Sequence, residues 1–230
     1  MSNPIHDTDR RRCHRQPLGM CRLHLVALRA LARQKQWSVP RLSQAMALAA
    51  LVHDGQTRLG SGEPYLVHPL QTARLVGLWG GAEDDVVAAL LHDAVEDATG
   101  DPQALQQHIL DTFGEGVAQA VDALSKRPHL EGAMARQQDQ CDRIRALALR
   151  QGPGVCLVKL ADRAHNCVTS QFYSPQKLLK LQAENQRWLV PMAMGLGAMT
   201  LARFLDDASQ WHAVPEACFA ETLAPMLRQH

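Results

Sequence analysis

Apolar residues recur along this chain every three to four positions, and that period belongs to an α-helix rather than a strand. Ala and Leu supply most of the pattern. Aromatic residues make up 4% of the 230 residues, and residues that favour strands cluster only in short runs. The spacing predicts helices over about 19–35, 40–53, 66–79, 83–96, 102–111, 114–125, 131–150, 154–170, 175–190, 197–209 and 215–228. Asp101-Pro102 and Ser174-Pro175 each place a capping side chain ahead of a proline at the first helical position. Glu83-Asp84-Asp85 set acids at the positive end of another helix. Residues 54–64, DGQTRLGSGEP, hold three glycines and a proline and read as a loop. The expectation is an all-α fold: a single globular domain over 18–230, a flexible N-terminal arm at 1–17, and one functional loop.

Composition narrows the function. With 46% hydrophobic residues and a formal net charge of +1, the chain can bury a core, and it carries no basic field that would draw nucleic acid or an anionic membrane. The basic cluster Arg10-Arg11-Arg12 with Arg15 reads as a solvated terminus. No apolar run approaches the ~18 residues of a membrane helix, and the N-terminus lacks an apolar signal core. The six cysteines include no CxxC pair, which argues against a structural zinc site. Cys156 and Cys167 lie in apolar context, as expected in a reducing, cytoplasmic setting.

One stretch resists a purely structural explanation. LLHDAVEDATG, residues 90–100, puts His92, Asp93, Glu96 and Asp97 at the end of an apolar helix with no Lys or Arg among them. Acids are disfavoured at a helix C-terminus, and a buried acid must be paired, protonated or metal-bound. On a helix continuing to 96, His92 would stack with Glu96 and Asp93 with Asp97, four residues apart. A second segment, VCLVKLADRAHNCV at 155–168, carries Lys159, Asp162, Arg163 and Asn166 as one polar stripe. A third, Tyr65-Leu66-Val67-His68-Pro69, places a histidine where a helix begins. His129 and His165 read as ordinary satisfied histidines. Together His68, His92, Asp93 and Asp162 offer two imidazoles and two carboxylates to a divalent ion. That donor set suits Mn²⁺ first, with Fe²⁺ or Zn²⁺ as alternatives.

These segments also carry a resemblance. HDGQTRLGSGEPYLVHP, ALLHDAVEDATG, FGEGVAQAVDALSK and VKLADRAHN occur here in that order. The chain resembles the HD-domain metal phosphohydrolases, and in particular the (p)ppGpp hydrolase domain of RelA/SpoT homologues, over about 43–197. The resemblance is to the single-domain small alarmone hydrolases, and alarmone synthesis is not expected. It implies an HD-type helical fold and metal-dependent removal of pyrophosphate from the ribose 3′ position of a small-molecule nucleotide. It implies His68, His92, Asp93 and Asp162 as metal ligands, and Glu96 and Asp97 as the acids that act on the attacking water. Arg58, Asn166 and Thr169 match substrate-contacting positions; Tyr65, Lys126 and Lys159 are further candidates to line the substrate site, and Lys159 and Arg163 to steady the ligands. Leu59 stands where a second basic residue is common, and MGLG replaces a His-Arg-Leu-Gly run, so guanine and adenine alarmones both remain open. Other readings are an HD phosphatase acting on a nucleoside monophosphate or NADPH, and a catalytically silent alarmone-binding module. Met192, Met194 and Met199 read as core filler. Residues 198–230 are either a helical pair over the core or a partner surface, and the oligomeric state is open.

Overall fold

The computed structural model describes residues 17–227. The arm expected at 1–17 lies outside the described residues, apart from Pro17, which opens the first helix. Twelve α-helices follow: α1 (Pro17–Gln34), α2 (Val39–Val52), α3 (Val67–Leu78), α4 (Glu83–Leu91), α5 (Pro102–Phe113), α6 (Glu115–Leu124), α7 (Ala133–Gln151), α8 (Gly154–Val168), α9 (Pro175–Glu184), α10 (Val190–Gly195), α11 (Met199–Asp206) and α12 (Phe219–Leu223). Among the described residues there is no strand, only an isolated bridge between Thr57 and Pro64.

Three helices form the centre. α3 packs on both α4 and α8, and α4 also packs on α8. Val86 to Leu91 of α4 are all fully buried, and every residue of α8 but Gly154 and Asn166 is buried. A helix covered on all sides must be apolar nearly all round, and any polar side chain on it must find a partner inside the protein. α8 therefore forces Lys159, Asp162, Arg163 and His165 into internal contacts. Its N-terminus approaches α4 at Gly154, where a Cβ would stand 1.8 Å from Asp85 Oδ1, so a larger residue would have to displace the Asp85 carboxylate.

The loop at 54–64 is ordered by its own backbone. Arg58 N–H donates to Glu63 O at 2.8 Å, and Tyr65 N–H donates to Gln56 O at 2.9 Å. Gly60 has φ +86°, and a Cβ there would lie 2.2 Å from the Phe172 ring, so the turn that presents Arg58 requires glycine.

The helix expected over 83–96 stops at Leu91. Beyond it, Ala94 N–H donates to Leu91 O and Asp97 N–H to Asp93 O, in turns. His92 Nδ1 caps the end by bonding Ala89 O at 2.8 Å. Five more helical residues would have set Asp93 and Glu96 on the negative helix end, with Asp97 just beyond it. The stacked columns expected on a continuous helix are therefore absent. Consecutive side chains on a helix diverge by about 100°, whereas the turn lets His92 and Asp93 converge. The helix expected over 175–190 changes to a π-helical turn at Asn185–Leu189. The helix expected over 215–228 is broken into α12 flanked by two short 3₁₀ turns. This C-terminal segment covers the core: Trp211 and Phe219 are fully buried, and α12 packs on α3. Met192 is buried as expected, but Met194 and Met199 are about half exposed and fill no core. Cys156 and Cys167 are buried free thiols.

Candidate metal centre and its basic cavity

His68 enters from the first turn of α3, His92 and Asp93 from the turn after α4, and Asp162 from the middle of α8. His68 Nε2 lies 3.2 Å from His92 Nε2, 3.2 Å from Asp162 Oδ1 and 3.5 Å from Asp93 Oδ2. His92 Nε2 lies 3.1 Å from Asp93 Oδ2 and 3.7 Å from Asp162 Oδ1. Donors held about 2.1 Å from one ion stand roughly 3.0–3.5 Å apart, so this spacing fits a shared divalent cation. His68, His92 and Asp162 form a mutually close buried triad. Asp93 approaches through the two imidazoles and is more exposed. Because His92 Nδ1 is occupied by Ala89 O, the ring presents Nε2 to the common point, as a ligand must.

Each carboxylate has a second partner. Tyr65 OH donates to Asp93 Oδ2 at 2.6 Å. Asn166 Nδ2 donates to Asp162 Oδ1 at 2.6 Å, and Lys159 Nζ to Asp162 Oδ2 at 3.1 Å. Lys159 thus sits on the oxygen turned away from the imidazoles and leaves the common point clear. The acids do not depend on a metal alone for countercharge. Lys126, from the loop after α6, brings its backbone N–H to Glu96 Oε1 at 2.5 Å and its Nζ to Glu96 Oε2 at 3.4 Å. Burial alone would raise the pKa of Asp162 and Asp93, but Lys159 and the imidazoles hold them well below the usual carboxylate range. Burial alone would lower that of His92, but Asp93 and Asp162 hold it well above its ordinary value. Burial and then the Asp93 charge raise the Asp97 pKa, as suits a group that takes and returns a proton.

The centre opens into a cavity of about 380 Å³, lined at its rim by Lys126, Arg136, Lys177 and Lys180. A second cavity of about 310 Å³ adjoins it through Tyr65, Asn166, Tyr173 and Lys177, and is lined also by Arg58, Thr169 and Glu216. A larger cleft of about 720 Å³, bordered by α5, α6 and α7, holds none of the converging donors. Arg58 crosses from the loop to α8, donating to Asn166 Oδ1 at 3.0 Å and to Thr169 Oγ1 at 2.7 Å. Arg163, expected to steady a ligand, instead pairs with Glu184 of α9 at 3.0 Å. Lys159, named among substrate-contacting candidates, is buried against Asp162.

His53, which has no signal of its own in the sequence, and His165, expected to be an ordinary satisfied histidine, both lie beside the centre. His53 is buried, stacks on Tyr65 with ring centroids 4.7 Å apart, and places Nδ1 3.6 Å from Asp97 Oδ2. His165 is fully buried with Nδ1 3.0 Å from His68 Nδ1. Its position three residues after Asp162, on the same helical face, was the available signal.

Comparison with known proteins gives the chain a family. The model of the HD domain family matches residues 45–199. The bifunctional (p)ppGpp synthase/hydrolase SpoT of Escherichia coli K12 is 35% identical over 171 residues, 74% of this chain and 24% of that protein. The guanosine-3′,5′-bis(diphosphate) 3′-pyrophosphohydrolase of Vibrio cholerae is 34% identical over 171 residues, 74% of this chain and 23% of that protein. A GTP pyrophosphokinase of Myxococcus xanthus is 34% identical over 183 residues, 78% of this chain and 24% of that protein. The chain spans about a quarter of the length of these relatives. A solved structure, described as a metazoan ortholog of SpoT that hydrolyzes ppGpp, shares the fold with a TM-score of 0.61 at 22% identity, covering 77% of this chain and 99% of that one. The chain belongs to the HD-domain family.

Proposed function

We propose that this protein hydrolyses the 3′-pyrophosphate of a (p)ppGpp-type alarmone, releasing pyrophosphate, with a divalent ion held by His68, His92, Asp93 and Asp162. The observation that carries this reading is the convergence of two imidazole nitrogens and the Asp162 carboxylate, with Asp93 set against both imidazoles, beside a cavity lined by basic side chains. Similarity to proteins named as (p)ppGpp hydrolases supports the choice of substrate. Mn²⁺ is the first candidate, given the mixed nitrogen and oxygen donors and the absence of thiolates.

When bound, the ion lowers the pKa of a water and offsets charge growing on the phosphate. The chain's own groups do the rest. Lys159 orients Asp162 through its outer oxygen, and Tyr65 and Asn166 orient Asp93 and Asp162 through the oxygens that face the imidazoles. Asp97, with its raised pKa, accepts a proton from the attacking water, and Glu96 fixes that water from the Lys126 side. Lys126, Arg136, Lys177 and Lys180 bind phosphate oxygens, and this cationic rim favours a substrate with several phosphates. The adjoining cavity accepts the nucleoside, with Arg58 against the base or ribose and Asn166 and Thr169 holding the guanidinium in place.

The test is incubation of the metal-loaded protein with guanosine and adenosine alarmones, nucleoside monophosphates and NADPH, with each product identified chromatographically. Pyrophosphate release from ppGpp, stopped by EDTA and restored by Mn²⁺, is expected. Orthophosphate as the sole phosphorus product would refute pyrophosphohydrolysis, and chelator-resistant turnover would refute the metal mechanism.

A further inference from the structure

We propose that His165, braced from the C-terminal segment by Glu216, is the positioning residue that decides whether His68 Nε2 offers the metal centre a lone pair or a proton. The inference rests on the metal reading above and adds a residue and a chain segment to it.

His165 is wholly enclosed. On one side its Nδ1 meets His68 Nδ1 at 3.0 Å. On another its ring stands edge-on to Phe219, at 4.8 Å between centroids and 87° between planes. Its Nε2 is buried without a hydrogen-bond partner, and Glu216 Oε1 lies 3.8 Å away. Two facing Nδ1 atoms can share only one proton: with none the lone pairs repel, and with two the protons collide. If His165 supplies that proton, a neutral His68 must carry its own on Nε2, the atom 3.2 Å from both His92 Nε2 and Asp162 Oδ1, and it cannot ligate. If His68 supplies it, Nε2 presents a lone pair to the metal centre. His165, when neutral, must then carry its proton on Nε2, on the Glu216 side.

The ligating form of His68 and the Glu216-facing form of His165 are therefore one state. Ligand imidazoles commonly gain this orientation from a carboxylate or carbonyl on their far nitrogen. Here a second imidazole intervenes, and the carboxylate stands one ring further out. Burial and then the adjacent Glu63 push the Glu216 pKa up to about 7, and at 3.8 Å its Oε1 stands just beyond hydrogen-bond length on the Nε2 side of His165. Glu216 and Phe219 lie beyond the matched span 45–199, so the C-terminal segment reaches the metal ligand through His165.

The test uses the full chain. Mn²⁺ affinity is measured from the free-ion EPR signal in the wild type, His165→Leu, His165→Asn and Glu216→Ala. Histidine tautomers are read in the Zn²⁺-loaded wild type from ¹H–¹⁵N long-range spectra. Leucine removes the acceptor for His68 Nδ1–H and should weaken Mn²⁺ binding about 10–100-fold, the usual loss for an outer partner of a ligand. Asparagine can still accept and should restore most of that loss. Glu216→Ala should weaken binding less, with little added effect on top of His165→Leu. The spectra should show His68 protonated on Nδ1 and His165 on Nε2. Mn²⁺ binding by folded His165→Leu within about twofold of wild type, or His165 carrying its proton on Nδ1, overturns the proposal. If His165→Leu does not fold, the tautomers together with His165→Asn and Glu216→Ala decide it. A wild-type protein that binds no divalent ion overturns the metal reading itself, an outcome distinct from normal binding by the variants.

Discussion

Replacing Lys159 with methionine should destabilise the metal-free protein severely. Lys159 and Asp162 are 5% and 7% exposed, and Nζ stands 3.1 Å from Oδ2. Removing one member of such a buried pair costs about 3–5 kcal/mol, because the other charge is left without its partner. Asp162 keeps the Asn166 amide and the His68 and His92 rings on Oδ1, which places the loss near the lower end, about 3 kcal/mol. In a domain of this size each kcal/mol lowers Tm by about 2–4 °C, so the variant should melt about 6–12 °C below wild type. The assay is thermal unfolding by far-ultraviolet circular dichroism in EDTA near neutral pH. The pKa of Asp162 is depressed on folding, so its pairing stabilises the protein above the unfolded carboxylate range near pH 4 and is lost as pH falls through the lower folded value. The gap between wild type and variant should therefore narrow in strong acid. Adding Asp162→Asn removes the stranded charge, so the double variant should be less destabilised than the sum of the singles. A Tm fall under about 2 °C, or strictly additive losses, would refute the pairing.

Three further outcomes follow from the same geometry. His68→Ala and Asp93→Ala should each abolish divalent-metal binding by calorimetry together with hydrolysis; unchanged turnover in either excludes the proposed centre. Glu96→Gln should retain the metal and slow turnover by roughly 10²–10⁴-fold, and loss of the metal would make Glu96 a ligand instead. His92 carries a raised pKa and must lose its proton to ligate, so apparent metal affinity should rise by up to about tenfold per pH unit until pH passes the folded His92 pKa, then level off. A titration series showing flat affinity from about pH 6 to 8 contradicts that coupling.

Much of the site was legible in the chain because its chemistry is carried by short ordered blocks. A His-Asp pair closing an apolar run, a histidine opening a helix and an aspartate within a buried stripe are each ambiguous, but their joint occurrence indicates a metal. The end of α4 was not legible. Apolar periodicity runs smoothly to Val95, and only the conflict between three acids and the helix dipole hints at the break after Leu91. His165 reads as an ordinary satisfied histidine because a ring packed on another ring leaves no mark on composition or periodicity. Arg163 was misassigned because a stripe shows which residues share a face, not which neighbour meets them; Glu184 does, from a helix that starts twelve residues further on.

The sequence alone determined the helical class, the loop at 54–64 and which side chains are candidate donors, since these depend on local spacing and residue chemistry. The tertiary structure decided where the donors point. The turn after α4 aims His92 and Asp93 at one place, and Lys159 takes the far oxygen of Asp162. The C-terminal segment places Glu216 and Phe219 behind His165. These are contacts between residues distant in the chain, set by how α3, α4 and α8 pack. No local pattern encodes such distances, because each helix fixes only its own face and the neighbours fix what that face meets.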